Sequence, residues 1–514
     1  MVNGNRKGEI LKQKSFNTVD RQQNNKTVLS KTIEENIKII KSIFENDQTL
    51  IVRKVQNPEE PYPEFCVIYV DGMVNNIIVN EDVIKPLIKY KPDRMEKTTI
   101  DLIANQVTFS NSVDKTSDID TIIQGIVYGD TILLIDGYAE ALILNTKGWV
   151  TRSISEPDGE KVLKGPREGF NESILMNLSL VRRKIRTPDL KMEFKTFGTR
   201  TNTKACICYL DSLVDKKVLN ELKKRLDSFT IDGTLDSNYL CEFIKDSPCS
   251  PIKTIGSTER PDVVAGKLLE GRIALFLDGS PVVLTLPFLF IEYFQSDEDY
   301  YLNYFFTSIG RILRIVAFFI TTSLPAIYVS LVTFHQEMLP TPLLVSISAA
   351  RKGVPFPTSL EMILMLVAFE MLRESGARMP GMMGQTLSIV GALVIGQAAV
   401  EAKIFSAPII IIVAFTGITG LMIPRSKSID IILRFVLIFL SSLLGLYGYM
   451  FGILAFLIHV LQIESFGVAI MNSAYADTLQ DSKDIFIRAP WWMMKKRPKY
   501  LSQNEVRENV RSKK

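Results

Sequence analysis

The pattern of apolar and polar positions changes near residue 310. Before it, short apolar runs alternate with charged stretches, as strands and amphipathic helices do. After it, four runs carry no charge: Ile315 to Phe334, Met382 to Val400, Phe405 to Pro424 and Phe435 to Ile458. At about 1.5 Å per residue each is long enough to cross about 30 Å of hydrocarbon. Four such runs predict membrane insertion. A further apolar stretch, Leu360 to Arg373, is interrupted by Glu361 and Glu370, which leaves the count at four or five spans.

The first half repeats itself. "CVIYVDGMVN" (Cys66 to Asn75) matches "CICYLDSLVD" (Cys206 to Asp215), and a helix-like run follows each. Downstream, "TILLIDGYAEALIL" (Thr131 to Leu144) matches "IALFLDGSPVVLTL" (Ile273 to Leu286). The step from Asp71 to Asp136 is 65 residues and that from Asp211 to Asp278 is 67. The repeat predicts an α/β cytoplasmic domain of two related subdomains, followed by an α-helical integral membrane domain of four to five spans. The expected divisions are a disordered tail over 1–35, subdomains over 36–190 and 191–300, a transmembrane domain over 301–465 and a basic cytoplasmic tail over 466–514. Each downstream motif reads as a hairpin, with Asp136-Gly137 and Asp278-Gly279 forming the turn. Asp278, Gly279 and Pro281 argue that Ile273 to Phe294 is such a hairpin and not a span. "RRKIRTPDLK" (Arg182 to Lys191) reads as a basic linker or helix end. "GPREGF" (Gly165 to Phe170) lacks the ending of a phosphate loop and reads as a structural or interface turn.

Composition agrees with this division. Hydrophobic residues make up 46% and charged residues 23%, with mean hydropathy +0.14, so a polar part is joined to a very apolar one. The net charge of +4 carries no nucleic-acid-like excess. The five cysteines have no zinc-like spacing, and Cys206 and Cys208 fall on one strand face as reduced core residues. The only histidines are His335 and His459. With no nucleophile–base pair, metal set or phosphate loop, the chain is not expected to be an enzyme or to hold a metal or cofactor. The N-terminal residues lack the apolar core of a secretory signal, so the first half is expected in the cytoplasm.

The apolar half supplies the candidate residues. Tyr293, Tyr300, Tyr301 and Tyr304 precede the first span as an aromatic belt, and Arg311 and Arg314 favour a cytoplasmic start. "FEMLRESGARMP" (Phe369 to Pro380) puts both signs of charge beside apolar runs, with Glu370 three residues before Arg373 and Glu374 four before Arg378. Such charges suit a cavity, a subunit interface or a membrane surface. Pore or coupling candidates are Glu361, Glu370, Arg373, Glu374 and Arg378, with Gln397 and Glu401. Glu401 also suits an interfacial turn before Lys403. Gly384, Ser388, Ala392 and Gly396 form a stripe of small residues with Gly391 beside it, the chemistry of close helix packing. Pro340 to Thr358 reads as irregular backbone, tolerated in a membrane only when buried or lining water. In "RAPWWMMKKRPKY", Trp491, Trp492, Lys495, Lys496 and Arg497 read as an interfacial anchor. Four spans would leave Arg425, Lys427 and Arg434 facing outward.

These blocks carry a resemblance. "EYFQSDEDYY", "AFFITTSLPAIYVSLVTFHQEMLPTPLLVSISAARKGVPFP", "FEMLRESGARMP", "GQTLSIVGALVIGQAAV" and "RAPWWMMKKRP" together resemble the A subunit of the GerA-type spore germinant receptors. The two hairpin motifs and "GPREGF" resemble the cytoplasmic domain of the same family. The match runs in order from about Phe65 to Lys499, and Lys403 stands where a glycine is expected. The resemblance implies a receptor subunit of the spore inner membrane. It implies partners too: a transporter-like B subunit thought to bind the nutrient, a C-subunit lipoprotein and further A subunits. It also implies an oligomer that passes ions when the nutrient binds. The residues alone leave open a secondary transporter of the germinant, and the family includes a paralogous sporulation branch. Neither the nutrient nor a ligand-binding residue is legible.

Overall fold

The computed structural model describes residues 28–56, 64–90, 100–104, 108, 113–148, 160, 162, 164–378, 396–471, 484–494, 496–498, 501–502 and 507. The chain forms two compact units. One holds Leu50–Gly148 with the chain up to Ile43, the other Phe44–Thr49 with the chain from Trp149.

The first unit opens with helix α1 (Ile33–Ile43). Its strands are β1 (Leu50–Val55), β2 (Phe65–Val70), β3 (Val113–Thr116), β4 (Thr131–Ile135) and β5 (Ala141–Leu144). They form one sheet in the order β1-β2-β4-β5-β3, with every neighbour antiparallel. β4 reads "TILLI" and is buried throughout, so it needs no polar alternation. Before it, α2 (Ile119–Tyr128) starts on Asp118, whose side chain accepts from Thr121 N, and ends on left-handed Gly129.

The second unit builds the same sheet. Helix α3 (Ile174–Lys184) precedes β6 (Leu190–Phe197) and β7 (Thr203–Leu210). Helix α4 (Lys216–Asp227), β8 (Gly256–Thr258), α5 (Pro261–Leu269), β9 (Ile273–Leu277) and β10 (Val283–Leu286) follow. The order is β6-β7-β9-β10-β8, again antiparallel throughout. Cys206 and Cys208 are both buried in one cluster with Val264, Leu268 and Phe276.

The two aspartates of the hairpin motifs do more than turn the chain. Asp136 Oδ1 accepts from Ile33 N at 3.1 Å, and Asp278 Oδ1 accepts from Ile174 N at 3.1 Å. Each carboxylate therefore caps the first turn of the helix that opens its own sheet, where backbone N–H groups lack partners. Asn36 and Asn177 brace the same corner, each bonding to the backbone six residues before it. The glycines take positive φ, +85° at Gly137 and +87° at Gly279, but each hairpin loop is longer than the two-residue turn expected from Asp-Gly.

From Tyr304 to Gln462 the described residues of the second unit are mainly helical: α6 (Tyr304–Thr333), α7 (Thr341–Arg351), α8 (Thr358–Arg378), α9 (Ala407–Leu421), α10 (Lys427–Leu444) and α11 (Leu446–Gln462). Among the described residues, α6 alone is long and apolar enough to cross a membrane unaided. The stretch from α9 through α10 passes the same test only as a pair bent by 104° at Pro424. Three expectations change. Phe405 to Pro424 yields only the 15 helical residues of α9. Phe435 to Ile458 is not one span: Gly445, at φ +62° and ψ −141°, ends α10 and starts α11. The two pack closely, and a Cβ at Gly448 would lie 2.1 Å from Leu440 O. Pro340 to Thr358 is not irregular throughout, because Pro342 sits in the first turn of α7, where its missing N–H costs nothing. Of Met382 to Val400, residues 382–395 lie outside the described residues. Residues 396–401 are helical up to a turn at Ala402 and Lys403, and the φ of +55° at Lys403 explains why glycine suits that position.

Candidate functional site: buried charges among apolar helices

The site begins with a proline. Pro325 sits inside α6 and has no N–H to give the carbonyl four residues earlier, that of Thr321. Arg434 of α10 supplies the donor, its Nε lying 3.0 Å from Thr321 O. The same guanidinium gives Nη1 to Glu370 Oε1 of α8 at 3.1 Å, and Arg373 Nη2 lies 2.5 Å from Glu370 Oε2. Arg434 is 1% exposed. One carboxylate thus answers two guanidiniums, and the cluster joins α6, α8 and α10. Around it, Thr321 Oγ1 and Thr419 Oγ1 are 2.8 Å apart, and Asp430 accepts from Ser426 Oγ at 2.7 Å. α8 and α9 approach so closely that a Cβ at Gly417 would lie 2.2 Å from Phe369 Cζ.

The other candidates fall in different surroundings. Glu361 is fully buried; its Oε1 accepts from Ser406 N at the start of α9, and its Oε2 lies 3.9 Å from Arg351. Glu374 is exposed, 3.9 Å from Lys427. Gln397 donates to Glu401 at 3.1 Å on an exposed surface, away from the cluster. The side chain of Arg378 and residues Gly384, Ser388, Gly391 and Ala392 lie outside what is described. Gly396 is buried, with room for a Cβ 3.6 Å from Ile410.

A second polar layer joins the helices to the second sheet. Asp299 takes Arg311 Nε at 2.7 Å and Arg314 Nη2 at 2.6 Å. Arg311 also reaches Asp484 Oδ1 at 2.8 Å, and Tyr300 donates to Asp484 Oδ2 at 2.7 Å. Arg425, at the bend between α9 and α10, binds Asp297 at 2.8 Å, Glu160 at 3.4 Å and the carbonyl of Gln295 at 3.1 Å. It therefore faces the α/β layer and not outward as the four-span count implied, while Arg434 points into the bundle. Glu292 is held between Lys267 and Arg272. Burial pushes the Glu292 carboxyl up, but those two cations outweigh it and hold it down at about 2.

The tail returns to this layer. Trp491 lies 5.8 Å from Tyr300 with the rings tilted, and Trp492 meets Tyr304 edge-to-face at 6.0 Å, both tryptophans about half exposed. Arg497 Nε donates to Leu269 O at 2.8 Å, Lys496 is exposed and Lys495 lies outside the described residues. Ser502 donates to Leu213 O, and Ser465, just after α11, donates to Thr254 O.

Sequence reasoning singled out Glu370 and Arg373 but not their partner Arg434, nor Pro325 and Asp430. A signal existed: a proline within an apolar run orphans a carbonyl, and Asp430 and Arg434 are four apart on one helix face.

An α/β platform bearing helices with polar interiors and apolar outer faces, such as Phe305, Ile309, Ile312, Val316 and Phe319 on α6, is the build of a membrane-associated protein. The chain belongs to the GerA family, described as Bacillus/Clostridium GerA spore germination protein, which residues 38–500 match. That is a family of receptor subunits and not of known enzymes. The chain is 40% identical over 93% of its length to Spore germination protein KA of Bacillus subtilis (strain 168), covering 88% of that protein. It is 41% identical over 87% of its length to the Uncharacterized membrane protein YfkQ of the same strain, covering 87% of it. A crystal structure of the N-terminal domain of the A subunit of the Bacillus megaterium spore germinant receptor GerK3 covers 52% of the chain and 99% of that domain, with 30% identity and a TM-score of 0.39.

Proposed function

We propose that the chain is a membrane subunit of a spore germinant receptor that triggers germination. In this reading it lies in the spore inner membrane with its α/β part in the cytoplasm. It assembles with a transporter-like B subunit, a C-subunit lipoprotein and further copies of itself, and the assembly passes ions when a nutrient binds. Family membership supports the receptor role. The observation that carries the ionic role is the Glu370–Arg373–Arg434 cluster inside apolar helices, because charges so placed are costly unless function retains them. The residues just after α11 and the tail at Ser502 both dock on the second sheet, from which α6 departs. Chain that leaves from and returns to one layer crosses a membrane an even number of times. The matching strand orders and helix caps support two related subdomains. The basic tail with Trp491 and Trp492 serves as an interfacial anchor.

The test is nutrient-triggered cation release from spores, read against the amount of the protein. Glu374→Gln, at an exposed position, is expected to leave protein level unchanged, and reduced or altered release there places the exposed end of α8 on the ion path. Normal release in this variant, and in Glu370→Gln at normal protein level, counts against a conducting role. A second reading is a paralogous sporulation membrane protein without a nutrient of its own; the 41% identity to YfkQ, an uncharacterized membrane protein, is equally compatible with it. A mutant lacking the gene that germinates normally on every nutrient would support it.

A further inference from the structure

A cavity lies where the second sheet meets the bend between α9 and α10. It has two chambers of about 710 and 500 Å³, which share Lys267, Glu292, Gln295, Asp297 and Arg425. Volumes of this size are typical of small-molecule sites. The smaller chamber is unevenly satisfied. Its carboxylates are engaged: Glu160 by Thr258, Glu259 N and Arg425, Glu292 by Lys267 and Arg272, Asp297 by Arg425, and Glu298 is not free either. Lys253 also lines it, and among the described residues its Nζ makes no hydrogen bond or ion pair. The Tyr293 hydroxyl accepts from Lys253 N at 2.8 Å, which leaves its own proton free to donate.

With the carboxylates already engaged and Arg425 close by, the free Lys253 ammonium is a ready donor for an anion. Partial desolvation, and then Arg425, lowers the Lys253 pKa. Lys253 is exposed and lines the chamber, so an incoming anion can reach it. We propose that this chamber binds a small oxyanion, a carboxylate or phosphate group, with Lys253 Nζ and the Tyr293 hydroxyl as its donors. The apolar part of such a ligand would extend into the larger chamber past Leu289 and Ile291. Since Arg425 lines both chambers and anchors the helix bend to Asp297, an occupant would bear directly on the joint between sheet and helices. The site rests on the cavity alone and does not depend on the conducting role.

The source of the oxyanion, soluble or a lipid headgroup, is separable by experiment. The full-length chain in nanodiscs of phosphatidylcholine would be titrated with benzoate and with inorganic phosphate, followed by saturation-transfer NMR. Binding of at least one probe is expected. Lys253→Gln is expected to weaken it at least tenfold and Lys253→Arg to retain most of it, both with unchanged melting temperature because Lys253 has no partner to lose. Phosphatidylglycerol added to the nanodisc would displace the probe if lipid headgroups reach the chamber and leave it bound if the ligand is soluble. No binding of either probe at tens of millimolar, or equal binding by Lys253→Gln, overturns the site.

Discussion

The two α/β sheets share one strand order, yet they spend their charges differently. In the first, Asp118 caps α2 by accepting from Thr121 N, an ordinary use of a short acidic side chain. At the matching place before α5, the second sheet has Arg260, fully buried, reaching Asp262 at 2.8 Å and the carbonyl of Pro166 at 2.9 Å. Asp130, buried just before β4, pairs at 2.5 Å with the partly exposed Lys147; its counterpart before β9 is Arg272, buried against Glu292 and the carbonyl of Pro287. Among the described residues, each ion pair of the first unit keeps at least one partner in contact with water. The second unit buries such pairs where the helices and tail dock. One architecture thus forms a layer in the first unit and the platform for the helices in the second.

The largest effect should come from breaking the buried charges of the second unit. Arg434→Met leaves Glu370 with Arg373 alone and Thr321 O without its donor, at an expected cost of about 3–5 kcal/mol, read as loss of folded protein by thermal unfolding in nanodiscs. The double variant Arg434→Met with Glu370→Leu should recover part of that loss. If Lys54→Ala in the first unit, which removes an exposed pair with Glu34 and should cost about 0–1 kcal/mol, proved equally damaging, the comparison would fail.

Acid should separate the units next. The Glu292 carboxyl is held at about 2 in the folded chain, below its ordinary value of about 4.3. Its contribution is therefore complete above about pH 4.3 and lost as pH falls towards 2. Amide exchange between pH 5 and pH 3 should show β9 and β10 losing protection before β4 and β5. The reverse order would mean that burial of these charges does not set acid sensitivity.

A smaller effect distinguishes two glycines of the helices. Gly417→Ala drives a Cβ into the Phe369 ring and should cost about 1–3 kcal/mol. Gly396→Ala meets only an ordinary contact at 3.6 Å and should be near neutral, judged by protein abundance in the membrane fraction. The smallest difference is expected where the sheets agree. Asp136→Ala and Asp278→Ala should each cost about 1 kcal/mol in unfolding experiments, the usual loss of a helix cap. A cost at one position only would show that the caps are not equivalent.

Much of this was legible from residue order. The paired Asp-Gly motifs, the all-apolar strands around them and the division near residue 310 follow from local pattern, because alternation, turn chemistry and run length act over a few residues. The capping role of Asp136 and Asp278 was not legible, since each carboxylate reaches a helix more than a hundred residues earlier in the chain. Run length also misled at Phe435 to Ile458. Hydropathy alone cannot register the turn that Gly445 makes, because an uncharged run reads the same whether it continues or folds back.

By itself, then, the sequence determined where apolar surface must be buried, which short stretches are strands and helices, and that both signs of charge stand beside apolar runs at Glu370 and Arg373. Only the tertiary structure decided which charges meet. Arg434 finds Glu370 and the carbonyl freed by Pro325 because three helices distant in sequence converge there. Arg425 turns towards Asp297 because the chain bends at Pro424. Pairing in a low-dielectric interior depends on separations of a few ångströms, and those are set by packing across the whole unit and not by neighbours along the chain.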